Sequence, residues 1–88
     1  MNGQKAVAQP RHHLRFDYGD AVRVRRRAPS KLRPGAAAVV VGITTPEQRR
    51  DGHFHQFPAG VVYLIEYADG EAIDVHEDML ESSSDKLK

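Results

Sequence analysis

The side chains best able to do chemistry in this 88-residue chain lie mostly in its second half. His53 and His55 are separated by one residue. On an extended backbone they would share a side, as a pair of metal ligands must, with His76 and Glu77 as the nearest further donors. A structural zinc site takes four ligands, and no spacing here supplies four. Histidines in loops are commonly just solvated. Ser30, Ser82, Ser83 and Ser84 fall in a loop or a tail, and none follows a strand at the sharp turn that exposes a nucleophile. The acids Glu66, Asp69, Glu71, Asp74, Glu77 and Asp78 fit the solvated face and turn of a hairpin. No glycine-rich phosphate loop is present. The expectation is a non-enzymatic protein with no catalytic residue, metal or cofactor.

Charge is the other chemical resource. Residues 1–50 hold eleven Lys and Arg against three acids, and residues 51–88 hold two Lys against nine acids, so halves of +8 and −7 give a net charge of +1. In a small sheet protein the halves interleave, and opposite charges on neighbouring strands can pair. The competing expectation is a basic surface formed by Arg23, Arg25, Arg26, Arg27, Arg33, Arg49 and Arg50. Tyr18, Phe54 and Phe57 would then be available to stack on bases. Arginine and aromatic residues also suit protein interfaces. The candidate partner-binding residues are therefore Arg26, Arg27, Arg33, Arg49, Arg50, His53, Phe54 and Phe57.

Those residues need a scaffold, and alternation supplies it. Ala21-Val22-Arg23-Val24-Arg25-Arg26 reads as a half-buried strand with Val22 and Val24 inward. The two prolines, Ser30 and Gly35 of residues 27–36 mark a loop, which Leu32 would pin to the core. Residues 37–43 are β-rich and almost continuously apolar, as in a strand covered on both sides or bent between two sheets. Gly42 suggests a bulge or a close backbone approach. The 44–60 connection is long for a compact domain. Phe54 and Phe57 would fold it back as a flap, or Gly52 would turn a short extra hairpin.

Residues 61–80 form the organising hairpin. Tyr63, Ile65 and Tyr67 share one face of the outgoing strand, and Ile73 and Val75 share one face of the return. A two-residue Asp69-Gly70 turn would pair Glu66 with Ile73 on the same face. A three-residue turn, Ala68-Asp69-Gly70, instead pairs Ile65 with Ile73 and Tyr63 with Val75, with Gly70 at the left-handed position of a bulge. A single 3₁₀ turn over residues 76–79 and a closing Leu80 follow. The expected fold class is all-β: a small five-stranded antiparallel barrel over residues 15–81, between flexible tails at 1–14 and 82–88. With no cysteine, no apolar run of membrane-spanning length and no signal-like N-terminus, the expectation is a cytoplasmic monomer that does not engage a membrane.

Two groups of residues carry a family resemblance. Tyr18-Gly19-Asp20-Ala21-Val22-Arg23-Val24, then Pro34-Gly35 before Val39-Val40-Val41, looks like the opening of KOW and other SH3-like barrels. Tyr63, Ile65, Tyr67, Asp69-Gly70 and Leu80-Glu81 resemble their distal hairpin and closing strand. With Phe16, Leu32-Arg33-Pro34-Gly35 and Val41-Gly42-Ile43 added, the pattern is similar to short bacterial SH3-like immunity proteins of polymorphic toxin systems. That resemblance implies a protein partner, a toxin, which the immunity protein binds and blocks. It carries over no site residue. The KOW likeness implies the alternative, an RNA- or ribosome-associated barrel. On either view the working surface is expected on the loops at 26–35 and 44–60 rather than on the hairpin.

Overall fold

The computed structural model describes residues 14–83. Of the expected tails at 1–14 and 82–88, residues 1–13 and 84–88 lie outside the described residues. Five antiparallel strands form one sheet: β1 (Ala21–Val24), β2 (Ala37–Thr44), β3 (Val62–Tyr67), β4 (Ala72–His76) and β5 (Leu80–Ser82). Their spatial order is β4-β3-β2-β1-β5. The sheet's two edge strands, β4 and β5, are joined only by a 3₁₀ turn at Glu77–Met79. Such a short link requires the sheet to curl until its edges approach each other.

The inner face follows the alternation in the sequence. Val22, Val24, Val40, Tyr63, Ile65, Val75 and Leu80 are essentially inaccessible to solvent. Each large aliphatic side chain so buried contributes about 1.5–3 kcal/mol of transfer free energy. Phe16 packs edge-on against Tyr63 with centroids 5.4 Å apart. The Tyr63 hydroxyl accepts hydrogen bonds from the backbone N–H groups of Arg15 (3.1 Å) and Phe16 (3.2 Å). One phenol thus ties the segment before β1 to the middle of the sheet.

The hairpin has the register that parity requires, with Ile65 opposite Ile73 and Tyr63 opposite Val75. The Gly70 N–H donates to the Tyr67 carbonyl and the Tyr67 N–H to that of Glu71. Gly70 has φ +93°, the left-handed conformation of a bulge residue. Gly42 answers to both of its expected roles. The β2–β3 register shifts between Val40 and Gly42, and a Cβ at Gly42 would stand 3.0 Å from the Leu64 Cβ.

Several expectations are corrected. β1 stops at Val24, because the chain turns there into the first loop and the Gly35 N–H caps the Val24 carbonyl. β2 is covered on one side only: Ala38 and Val40 are buried while Ala37, Val39 and Val41 face out. Its apolar outward residues imitated two-sided burial. The turn at Glu77–Met79 is joined by three more 3₁₀ turns, at Ser30–Leu32, Pro46–Gln48 and Gly52–Gln56. The last two occupy the long connection in place of an extra hairpin. β5 continues to Ser82, and the N–H of the buried Ser83 donates to the Ala21 carbonyl.

Candidate functional site

The first and second loops meet over β4. Leu32 of the first loop is buried and holds that loop down, its carbonyl accepting the Tyr67 hydroxyl at 2.7 Å. Burial raises the Tyr67 phenol above its ordinary pKa of 10, with Arg33 acting in the opposite direction. The second loop is gathered chiefly around one side chain. Arg49 donates from Nη1 to the carbonyls of Pro58 (2.6 Å) and Gly60 (2.9 Å), and from Nη2 to those of Phe54 (2.7 Å) and Phe57 (2.8 Å). A planar guanidinium presents five donors in a fixed fork, so it can collect several carbonyls where an ammonium cannot. At the start of the loop, Thr45 and Gln48 form a capping box around the Pro46–Gln48 turn.

The far end of this loop is tied to the turn after β4 through His76, which is buried. Its Nε2 lies 2.8 Å from the Ala59 carbonyl, and its Nδ1 accepts the Asp78 N–H at 3.1 Å. These partners fix the tautomer with the proton on Nε2. Gly60 is pressed into the same knot. It has φ +129°, and a Cβ there would lie 2.6 Å from Glu77 Oε2 and 2.9 Å from His76 Nε2.

Between the loops lies a groove of about 460 Å³. Its apolar floor is Leu32, Ile73, Val75 and Met79. Arg27, Pro29 and Lys31 form one bank, and His53, Gln56, Phe57 and Pro58 form the other. His53 crosses to the sheet, with Nε2 2.9 Å from Asp74 Oδ2, while Gln56 Nε2 donates to the His53 carbonyl at 2.8 Å. Arg27 donates to the Asp78 carbonyl at 3.0 Å.

Three of the candidate residues, Arg27, His53 and Phe57, therefore share one groove. Phe54 stands beside it, packed on His53 and Phe57 with centroids 4.9 and 6.3 Å away. Arg49 lies beneath the loop with its guanidinium committed to carbonyls. Arg26 and Arg50 are exposed away from the groove lining. Arg33 belongs to the hairpin tip: its guanidinium stacks 4.3 Å over the Tyr67 ring and pairs with Asp69 (3.1 Å) and Glu71. It is the one non-glycine residue with positive φ (61°) among the described residues. That conformation costs about 1–2 kcal/mol, which the stacking and ion pairs offset.

Strand order dissolves the charge asymmetry. β1 lies beside β5, so Arg25 meets Glu81 at 3.4 Å, and Arg15 reaches Glu77 (3.7 Å) and Asp78 (3.4 Å). His53 and His55 sit in a 3₁₀ turn rather than on an extended segment, which removes the geometry that would put them on one side. Among the described residues no three histidine or carboxylate side chains gather as a metal site. No family model matches the chain, and no curated protein or solved structure matches it significantly. Among the described residues no helix is long and apolar enough to cross a membrane.

The sequence missed the groove's floor and its supports. Ile73 and Val75 signalled only core and Met79 only a 3₁₀ turn, and Arg49 and His76 carry no local pattern that distinguishes a loop brace from a surface ligand.

Proposed function

We propose that this protein is a non-enzymatic binding module of the SH3-like immunity type, which takes a protein partner, a toxin, in the groove between its two loops. The observation that carries the reading is the groove itself: an apolar floor between banks bearing Arg27, Lys31, His53 and Phe57. Apolar floors with aromatic and arginine anchors at their margins are what binding hot spots are made of. The supports favour the same reading. Arg49 and His76 hold the second loop in one shape, and a loop ordered before binding loses less entropy on association.

A nucleic-acid surface is the weaker alternative, because Arg15, Arg25 and Arg33 face acidic partners of their own fold. Co-expression with the product of the adjacent gene, followed by affinity capture, tests the proposal. Capture is expected with the native chain and lost with Phe57→Ala or Lys31→Glu. Failure to capture any neighbour-encoded protein, together with RNA affinity that falls steeply with salt, would favour the alternative.

A further inference from the structure

The groove runs along β4, an edge strand to which no strand of the described fold is paired on its outer side. The register of β3 and β4 shows which backbone groups are open there. Tyr67 and Glu71 form a hydrogen-bonded pair, as do Val61 and Glu77 at the other end, where the Glu77 N–H donates to the Val61 carbonyl at 3.0 Å. In an antiparallel ladder such pairs alternate with non-bonded ones. Ile73 and Val75 therefore spend their N–H and C=O groups on β3. Ala72 and Asp74, opposite Glu66 and Leu64, turn theirs away from it. Four consecutive β4 residues, Ile73 to His76, line the groove. Side chains alternate between faces, so a run of consecutive lining residues marks an opening along the strand's edge rather than over one face.

The opposite edge of the sheet is treated differently. Arg25 Nε donates to the Leu80 carbonyl at 3.1 Å, and Arg27 Nη2 to the Asp78 carbonyl. Arginine thus caps the acceptors at and before β5. An unguarded edge is a ready template for another strand, and soluble proteins normally block it.

We propose that the free edge of β4 is a strand-addition site, where an extended segment of the partner lies in the groove and pairs its backbone with Asp74 and, just past the groove's lining, with Ala72. The assignment rests on reading the groove as the partner site. Five β4 residues offer room for an inserted segment of about five residues at ~3.3 Å each. The segment's inward side chains are apolar, because they meet Leu32, Ile73, Val75 and Met79. Its charge is acidic. The groove's acids are already engaged, Asp74 by His53 and Asp78 by Arg15, while Arg27 and Lys31 stand exposed on the bank. Backbone pairing gives such contacts their affinity and alternate side chains give them their specificity.

The test uses the full chain and a blocked heptapeptide of alternating glutamate and valine, with its fully N-methylated counterpart as the second probe. Amide exchange is followed residue by residue. In the free protein, the amides of Ala72 and Asp74 exchange faster than those of Ile73 and Val75. At a peptide concentration of ten times its dissociation constant, Ala72 and Asp74 are expected to slow about tenfold. The methylated peptide, which lacks the donors, is expected not to bind. Ala72→Pro removes an N–H that the β3–β4 ladder does not use, so its circular dichroism stays native while peptide binding falls at least about tenfold. If both peptides bind alike, or the groove responds while the two amides do not, strand addition is overturned and the groove reading survives. No binding of either peptide at millimolar concentration also overturns strand addition. Failure to capture a neighbour-encoded protein overturns the groove reading instead.

Discussion

Replacing Arg49 with lysine keeps the charge and removes the fork. Four carbonyls, those of Phe54, Phe57, Pro58 and Gly60, now converge on one guanidinium. Hydrogen bonds from a charged donor are worth ~1.5–3 kcal/mol each when dry. These carbonyls are partly open to water, and a figure of ~0.5–1 kcal/mol each is more fitting. Ordering the arginine side chain costs about 2 kcal/mol, so the four bonds leave a net effect of up to ~2 kcal/mol. For a domain of this size Arg49→Ala should then lower Tm by up to about 15 °C. A lysine ammonium reaches one or two of the acceptors, and Arg49→Lys should retain less than half of the difference. If the loop opens independently of the sheet, the loss appears instead as faster amide exchange at Phe54 and Phe57, which close the 3₁₀ turn. Differential scanning calorimetry and exchange measured on the same two variants cover both cases. A lysine variant indistinguishable from the native chain in Tm and in loop exchange would refute the idea that guanidinium geometry shapes this loop.

Three further outcomes follow from the same contacts. Tyr63→Phe leaves the N–H groups of Arg15 and Phe16 without their acceptor, and urea denaturation should show a loss of about 1–2 kcal/mol. Gly60→Ala combines a positive φ with overlap against Glu77 and His76, and a loss of at least ~2 kcal/mol is expected in the same assay. Burial raises the Tyr63 and Tyr67 phenols above 10 in the folded state. The folded state therefore holds these protons more tightly than the unfolded one. The associated stability is fully present below pH 10 and is lost as pH rises through the folded-state pKa values. Alkaline unfolding followed by tyrosinate absorbance should be cooperative, and a gradual titration without unfolding would contradict it.

Strand pairing was legible where side-chain parity and glycine geometry act locally. The Ala68-Asp69-Gly70 turn followed from placing Ile65 and Ile73 on one face, and the β2 irregularity from Gly42 alone. Leu32 was readable as a pin because it is the only large apolar residue in its loop. The outward Ala37, Val39 and Val41 could not be told from buried residues, since composition does not record which side of a strand is covered. Arg49 resembled its surface neighbour Arg50. Its acceptors are backbone carbonyls, which every residue carries and no sequence pattern marks. The halves of +8 and −7 suggested pairing between neighbouring strands but could not say which charges meet; that is decided by sheet order, which puts β1 beside β5 and Arg25 beside Glu81. The groove was invisible for the same reason, because its banks come from residues some 25 positions apart and most of its floor from a third segment.

The pairing of β1 with β5 also sets a clock on synthesis. Val24 meets Leu80 and Val22 meets Ser82, so β1 has only β2 beside it until nearly 60 further residues have been made. Phe16 likewise waits for Tyr63. Contacts this distant in sequence form late and slowly. On the ribosome, the outer edge of β1 stays without its β5 partner until Ser82 has cleared the exit tunnel. A delay in translation before that codon would be felt as aggregation rather than as a change in the finished molecule's stability.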